Sequence, residues 1–184
     1  GKNPRIAVSL GPHSPYICPE AFLATVAEKA GTLGLKMHIH VSEEESQVRR
    51  SLAEKGRTPV GVLADTGVLQ PGTILAHAYL STDEELALIR EKGAGIAHCA
   101  KTYMKFGDLR DFLPRALAAG ACVGLGTDGP ASNNTLDIFE TARAAALLAK
   151  CARRDARAAA IGEVLPLCHA GGRVLGLADY GRLE

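Results

Sequence analysis

The run Val123-Gly124-Leu125-Gly126-Thr127-Asp128 is mostly apolar, too short for a helix, and ends on a carboxylate. Two earlier runs are built alike: Lys36-Met37-His38-Ile39-His40 and Thr73-Ile74-Leu75-Ala76-His77 each close on an imidazole. Short apolar runs bounded by turn residues read as buried strands. Helix-like segments lie between them, and such alternation predicts parallel βαβ units. In a (β/α) barrel the C-terminal ends of successive strands meet at one mouth, which would make neighbours of His40, His77 and Asp128. Imidazole and carboxylate are the ligand types that suit a catalytic divalent metal with an open coordination position.

Working outward, Arg5-Ile6-Ala7-Val8-Ser9-Leu10 reads as a first strand, followed by the loop Gly11-Pro12-His13-Ser14-Pro15-Tyr16. A helix is expected from about Pro19, with Phe22, Leu23, Val26, Ala27 and Ala30 on one face and Gly31 as its stop. An acidic helix should run from Glu43 to Glu54 and close at Gly56, and a short one should start at Pro59. Ser81-Thr82-Asp83-Glu84 reads as a capping box opening a helix that Gly93 ends. Gly95 to His98 and Ala121 to Leu125 are further strands, with a small helix over Pro114 to Ala119 between them. Leu136 to Ala152 should be the longest helix, burying Ile138, Phe139, Ala142, Ala145, Ala146 and Ala149.

That makes about five strands, too few to close a barrel. A closed eight-stranded barrel takes about 250 residues, and the chain has 184. It begins without methionine and stops just after a helix-ending pattern, Leu175-Gly176-Leu177-Ala178-Asp179. The expected fold class is therefore α/β: a (β/α)8 TIM barrel of the metal-dependent hydrolase type, present as a partial barrel. Residues 1–184 would form one catalytic domain cut at both ends.

With 47% hydrophobic residues and a net charge of +1, the composition suggests a globular chain with no preference for nucleic acid or an acidic membrane surface. No apolar run approaches the ~18 residues of a membrane span. The five cysteines are scattered and odd in number, which suits reduced thiols in the cytoplasm better than a disulfide framework.

Four motifs occur in order: Gly11-Pro12-His13-Ser14-Pro15-Tyr16, His38-Ile39-His40-Val41-Ser42-Glu43, Leu75-Ala76-His77, and Gly126-Thr127-Asp128-Gly129-Pro130-Ala131-Ser132-Asn133-Asn134. Together they resemble the amidohydrolase superfamily, in particular its S-adenosylhomocysteine/5-methylthioadenosine deaminase and chlorohydrolase branch. The resemblance runs from about Ile6 to Glu184 and numbers the strands as four to eight of the barrel. Members of that branch also carry a His-x-His on strand one, which this sequence lacks. Cys99-Ala100-Lys101-Thr102-Tyr103-Met104-Lys105 departs from the Asn-Pro-x-Ser-Asn often found after His98.

The resemblance implies one divalent metal, zinc first and iron or manganese as alternatives, held by His40 and Asp128 together with the strand-one histidines. It implies a metal-activated water as nucleophile, with Asp128 also accepting its proton. His77 would hydrogen-bond the water or the developing oxyanion. Glu43, three residues after His40, would protonate a ring nitrogen and help ammonia leave. His13 and Ser132 would contact a small heterocyclic substrate. His38, turned away from the metal, and His169 are read as structural, and His98 as either pocket lining or core.

Each assignment has a structural rival. A histidine ending an apolar run can be a core residue, Asp128 can serve the turn at Gly129, and Glu43 can serve a helix N-terminus as Glu44 and Glu45 do. The expected activity is hydrolytic deamination of an amino-substituted purine or related N-heterocycle. Guanine- or pterin-type deamination, triazine dechlorination, and a non-catalytic interaction module are the alternatives, and a homo-oligomer is compatible with all of them.

Overall fold

The computed structural model describes residues 6–177. Arg5 of the expected first strand, and Ala178 and Asp179 of the closing pattern, lie outside the described residues. Five strands, β1 (Ser9–Leu10), β2 (Lys36–Val41), β3 (Thr73–His77), β4 (Gly95–His98) and β5 (Cys122–Leu125), form one sheet in the order β1-β2-β3-β4-β5. Every pairing is parallel. A strand order without reversal is that of a barrel wall, whereas a doubly wound sheet reverses at its switch point.

Helices α1 (Glu20–Leu33), α2 (Glu45–Lys55), α3 (Pro59–Asp65), α4 (Asp83–Glu91), α5 (Ala100–Phe106), α6 (Phe112–Ala118), α7 (Pro130–Asn133), α8 (Ile138–Arg153), α9 (Ile161–Val164) and α10 (Gly171–Val174) make the connections and the C-terminal segment. The pleat gives the sheet two unlike faces. Met37, Ile39, Val41, Leu75, Ile96 and Val123 are buried in one core with Leu23, Leu63, Leu86, Ile89 and Phe112 from the helices. Full burial of such side chains contributes roughly 1.5–3 kcal/mol each, so this outer, helix-covered face holds the sheet in shape.

The other face would look into a barrel. Its register carries His38 beside Ile74 and Gly95, and His40 beside Ala76, Ala97 and Gly124. His38 therefore shares the face of His40 rather than turning away, because residues two apart on a strand point the same way. Lys36 and His40 are half-buried and His38 exposed along this face, while Met37, Ile39 and Val41 between them are buried.

Helix ends and faces follow local chemistry, with shifts from expectation: α2 starts at Glu45 instead of Glu43, α6 at Phe112 instead of Pro114, and α8 at Ile138 instead of Leu136. Gly31 does not stop α1: the helix runs on to Leu33, and the left-handed residue is Gly34, at φ 62°. The capping box of α4 pairs Thr82 with Glu85 instead of Ser81 with Glu84. On α8, Phe139 is 64% exposed, and Thr141 and Leu148 take buried positions beside Ala142, Ala145 and Ala149. The expected first strand shrinks to Ser9–Leu10, with Ile6 and Val8 exposed.

Helix α10 crosses the inward face at β4 and β5, and it can do so because two of the residues beneath it lack a Cβ. A Cβ on Gly95 would lie 2.9 Å from Val174 Cγ1, and one on Gly124 would lie 3.0 Å from Val174 Cγ2. We expect Gly95→Ala to destabilise the fold by ~1–3 kcal/mol, the usual cost of overpacking. Val174→Ala in the same chain should recover part of that loss. Denaturant unfolding of the two single variants and the double variant checks it, and strictly additive losses would argue against the contact.

Candidate metal centre

His40 is the penultimate residue of β2. Its backbone N–H donates to the His13 carbonyl at 3.0 Å, and its ring Nδ1 lies 2.9 Å from the same oxygen. A carbonyl only accepts, so Nδ1 carries the hydrogen and Nε2 keeps a free lone pair. This is the orientation that outer hydrogen bonds impose on metal-binding histidines. The exposed His13 ring stacks on His40 with centroids 4.7 Å apart, and its Nδ1 meets the buried Ser14 hydroxyl at 3.0 Å.

His77 ends β3. By register it pairs with Val41, whose side chain faces the helices. Its φ of 74° breaks the alternation, and the ring lies 5.7 Å from that of His40 at the mouth. Asp128, three residues past β5, is also left-handed at φ 58°, as is Ser42 just after β2 at φ 49°. Non-glycine residues rarely occupy this region, and the strain it costs is found at functional sites.

His77 Nε2 is 3.4 Å from Glu43 Oε1. Glu43, His77 and Asp128 each bring a ligand atom within 4.8 Å of the others. Burial pushes the His77 imidazole down to about 4, against the opposing pull of Asp128, so it is neutral near pH 7. Burial, then the Asp128 charge, raises the Glu43 carboxyl, with His40 pulling the other way. Asp128 moves down: burial opposes ionisation, but hydrogen bonds from the Gly129 amide and the Thr102 hydroxyl outweigh it, with the electrostatic pull of His77 and the nearby Ser132 hydroxyl acting in the same direction. Gly129 N donates to Oδ1 at 2.6 Å and Thr102 Oγ1 to Oδ2 at 2.9 Å.

Thus Glu43, His77 and Asp128, singled out from sequence, meet at one end of the sheet, while His40 lies outside that group of ligand atoms, its ring stacked between those of His77 and His13. Ser132, read as a substrate contact, is half-buried on α7 near Asp128, whose carboxyl its hydroxyl helps to lower. His169 is exposed and outside the cluster. Thr102 was not foreseen as a site residue, because only the fold brings it to a carboxylate 26 positions later. The donors fit a divalent cation: Asp128 offers carboxylate oxygen, His40 offers Nε2, and buried His77 Nδ1 has no protein partner. Beside Glu43, a cleft of about 550 Å³ is lined by Glu44, Tyr103, Phe106, Asp108 and Arg110 among others.

The model of the amidohydrolase family matches residues 2–184. The chain belongs to the amidohydrolase family. It is 40% identical over 182 residues, 98% of its length, to the 5-methylthioadenosine/S-adenosylhomocysteine deaminase of Desulforudis audaxviator (strain MP104C), covering 42% of that protein. Its fold is similar to that of a zinc-bound adenosine deaminase from Xanthomonas campestris, with a TM-score of 0.93 and 32% identity over 99% of this chain and 42% of that one. The zinc complex of atrazine chlorohydrolase from Arthrobacter aurescens TC1 is similar at a TM-score of 0.87 and 28% identity, over 95% and 39% of the two chains. The amidohydrolase chain thus spans about two-fifths of these relatives. The five parallel strands are a partial TIM barrel, and no helix among the described residues is long and apolar enough to cross a membrane.

His98 is core and not pocket lining. It alternates with Ala97 onto the helix side and stacks on Phe112, centroids 5.4 Å apart, beside Tyr103 and Tyr79. Neither ring nitrogen has a partner, and burial pushes its imidazole down to about 3. The folded chain stays neutral there while the unfolded chain gains a proton below pH 6.5, so this contribution is present above pH 6.5 and lost as pH falls towards 3. The slope is about 1.4 kcal/mol per pH unit. Wild type should lose about 2 kcal/mol more than His98→Phe between pH 7 and pH 5, measured by denaturant unfolding at both pH values; equal losses would contradict the assignment.

Proposed function

We propose that a complete barrel containing these strands hydrolytically deaminates an amino-substituted purine or related N-heterocycle of the adenosine type. The observation that carries this is the Glu43–His77–Asp128 cluster at the strand ends, with His40 Nε2 left free beside it. The deaminases named among the relatives support the same substrate class. His40 and Asp128 would hold one divalent metal, with two further imidazoles from the barrel's first strand, as the family pattern implies. Zinc is the metal we assign, because two similar structures contain it. Five unpaired cysteines support a reducing, cytoplasmic setting.

When bound, the metal supplies a water acidified towards pKa ~7. The chain's own groups account for the proton movements. Asp128, kept ionised by its donors, accepts a proton as the water oxygen attacks the carbon bearing the amine. Glu43, whose carboxyl is raised by burial and by Asp128, can carry a proton near neutral pH more readily than an ordinary glutamate. It gives that proton to the adjacent ring nitrogen. Neutral His77 donates a hydrogen bond to the developing oxyanion without adding a positive charge. Proton return to the exocyclic nitrogen lets ammonia leave and yields the ring carbonyl.

Dechlorination is the second reading, favoured by the likeness to the atrazine chlorohydrolase. Chloride needs no proton to depart, whereas an amine does, and a carboxyl poised as Glu43 is serves the amine. With metal loaded into the complete barrel, we expect ammonia release from an adenosine-type substrate and no chloride release from a chlorotriazine. Glu43→Gln should lower kcat for deamination by ~10²-fold or more while metal content is unchanged. Near-full activity in that variant would return Glu43 to a helix N-terminal role.

A further inference from the structure

The Asp128 loop has little regular structure of its own to hold it. Asp128 is three residues beyond β5, is left-handed, and precedes only the four-residue helix α7. Its bond to Gly129 N is local and moves with the loop. The restraints from outside the loop come from two helices: α8, which takes hydrogen bonds from Asn133 and Thr135 on Thr141 and Glu140, and α5, which reaches the carboxylate itself. Thr102, fully buried, donates to Asp128 Oδ2 at 2.9 Å. Lys105 Nζ donates to the Ala131 carbonyl at 2.6 Å and to Asn134 Oδ1. Lys101 Nζ donates to Thr135 Oγ1 at 2.8 Å and pairs with Glu140 at 3.0 Å.

Helix α5 is itself fixed in the core. Tyr103 stacks on Tyr79 with centroids 3.7 Å apart and its hydroxyl accepts from Cys99 N. The core therefore fixes α5, and α5 fixes the loop at three points.

We propose that Thr102 is the positioning residue of the metal carboxylate: its hydroxyl holds Asp128 Oδ2 so that the remaining lone pairs face His77 and Glu43. A carboxylate offers about four lone-pair sites, and the Gly129 and Thr102 donors, one on each oxygen, leave the others open. Lys101 and Lys105 bind backbone and side chains around the carboxylate, whereas Thr102 alone on α5 touches it. Because Thr102 is buried, no solvent water replaces its hydroxyl when the hydroxyl is removed. This inference rests on the reading of Asp128 as a metal ligand.

The test uses the complete barrel protein that contains these strands, stripped of metal and reloaded with Zn2+, with affinity read by chelator competition and folding by circular dichroism. Thr102→Val keeps the shape and removes the donor, and it should weaken Zn2+ binding by 10- to 100-fold, the usual effect of losing an outer hydrogen bond. Thr102→Ser should restore affinity to within about threefold, which a packing role for the γ-methyl would not do. If Thr102→Val does not fold, Thr102→Ala read by the same titration carries the same expectation. Asp128→Asn separates the two levels. Loss of Zn2+ in Asp128→Asn with wild-type affinity in folded Thr102→Val overturns the positioning role alone. Wild-type Zn2+ affinity in Asp128→Asn overturns the ligand assignment and the positioning role with it.

Discussion

Parallel register is the constraint that makes a site from distant residues. In a parallel ladder, bonded strands start and stop at the same edge, so whatever ends one strand lies near whatever ends the next. His40 pairs across to Ala76 and Val41 to His77, and His98 pairs with Leu125 three residues before Asp128. Residues 40, 77 and 128 thereby share an edge without any contact between their own segments being needed to recruit them. The helix-side core keeps the register, since slipping one strand by a residue would exchange its buried and open faces.

Register alone brings residues to an edge; it does not aim them. On strict alternation His77 would follow Val41 into the helix layer. The positive φ values at Ser42, His77 and Asp128 turn the chain where the strands end, and each turn directs a polar group toward the mouth. Such conformations cost of order 1–3 kcal/mol each and persist because the surroundings hold them. Ala78 N bonds to the Val41 carbonyl, Leu80 N to the Ser42 carbonyl, and Gly126 N to the His98 carbonyl. Rigid strands therefore flank bends that are locally unfavourable, and those bends carry the chemistry.

The strands were legible because period and composition agree in them: Thr73–His77 and Gly95–His98 fall where the apolar runs stop. Helix ends were less so. Glycine in mid-helix costs only about 1 kcal/mol, which tertiary packing overrides at Gly31, while the left-handed turn falls on Gly34. Helix α5 gave no clear sign in the sequence, since Ala-Lys-Thr-Tyr-Met-Lys-Phe is one short segment with a cysteine at its N-cap. Its role is tertiary, set by Tyr103 in the aromatic core and Thr102 on Asp128. The position of His38 was within reach of the sequence, as a period of two places it with His40. Ser132 reads from sequence as a substrate contact, yet its place near the Asp128 carboxylate depends on the turn through Gly129 and Pro130.

Two carboxylates, Glu43 and Asp128, share this half-buried place with two imidazoles, one of which, His77, is neutral near pH 7. Like charges so close, with water partly removed, do not both ionise freely. The burden falls unequally. Asp128 has two donors, the Gly129 amide and the Thr102 hydroxyl, which stabilise its anion; Glu43 is raised by burial and by the Asp128 charge. A proton on Glu43 relieves the repulsion, and so does a cation between the groups. The same imbalance that makes the cluster receptive to a divalent ion also gives it one carboxylate that keeps its charge and one that can exchange a proton. Pairs of acids separated in this way by their surroundings divide into base and acid, and hydrolysis of a C–N bond needs one of each.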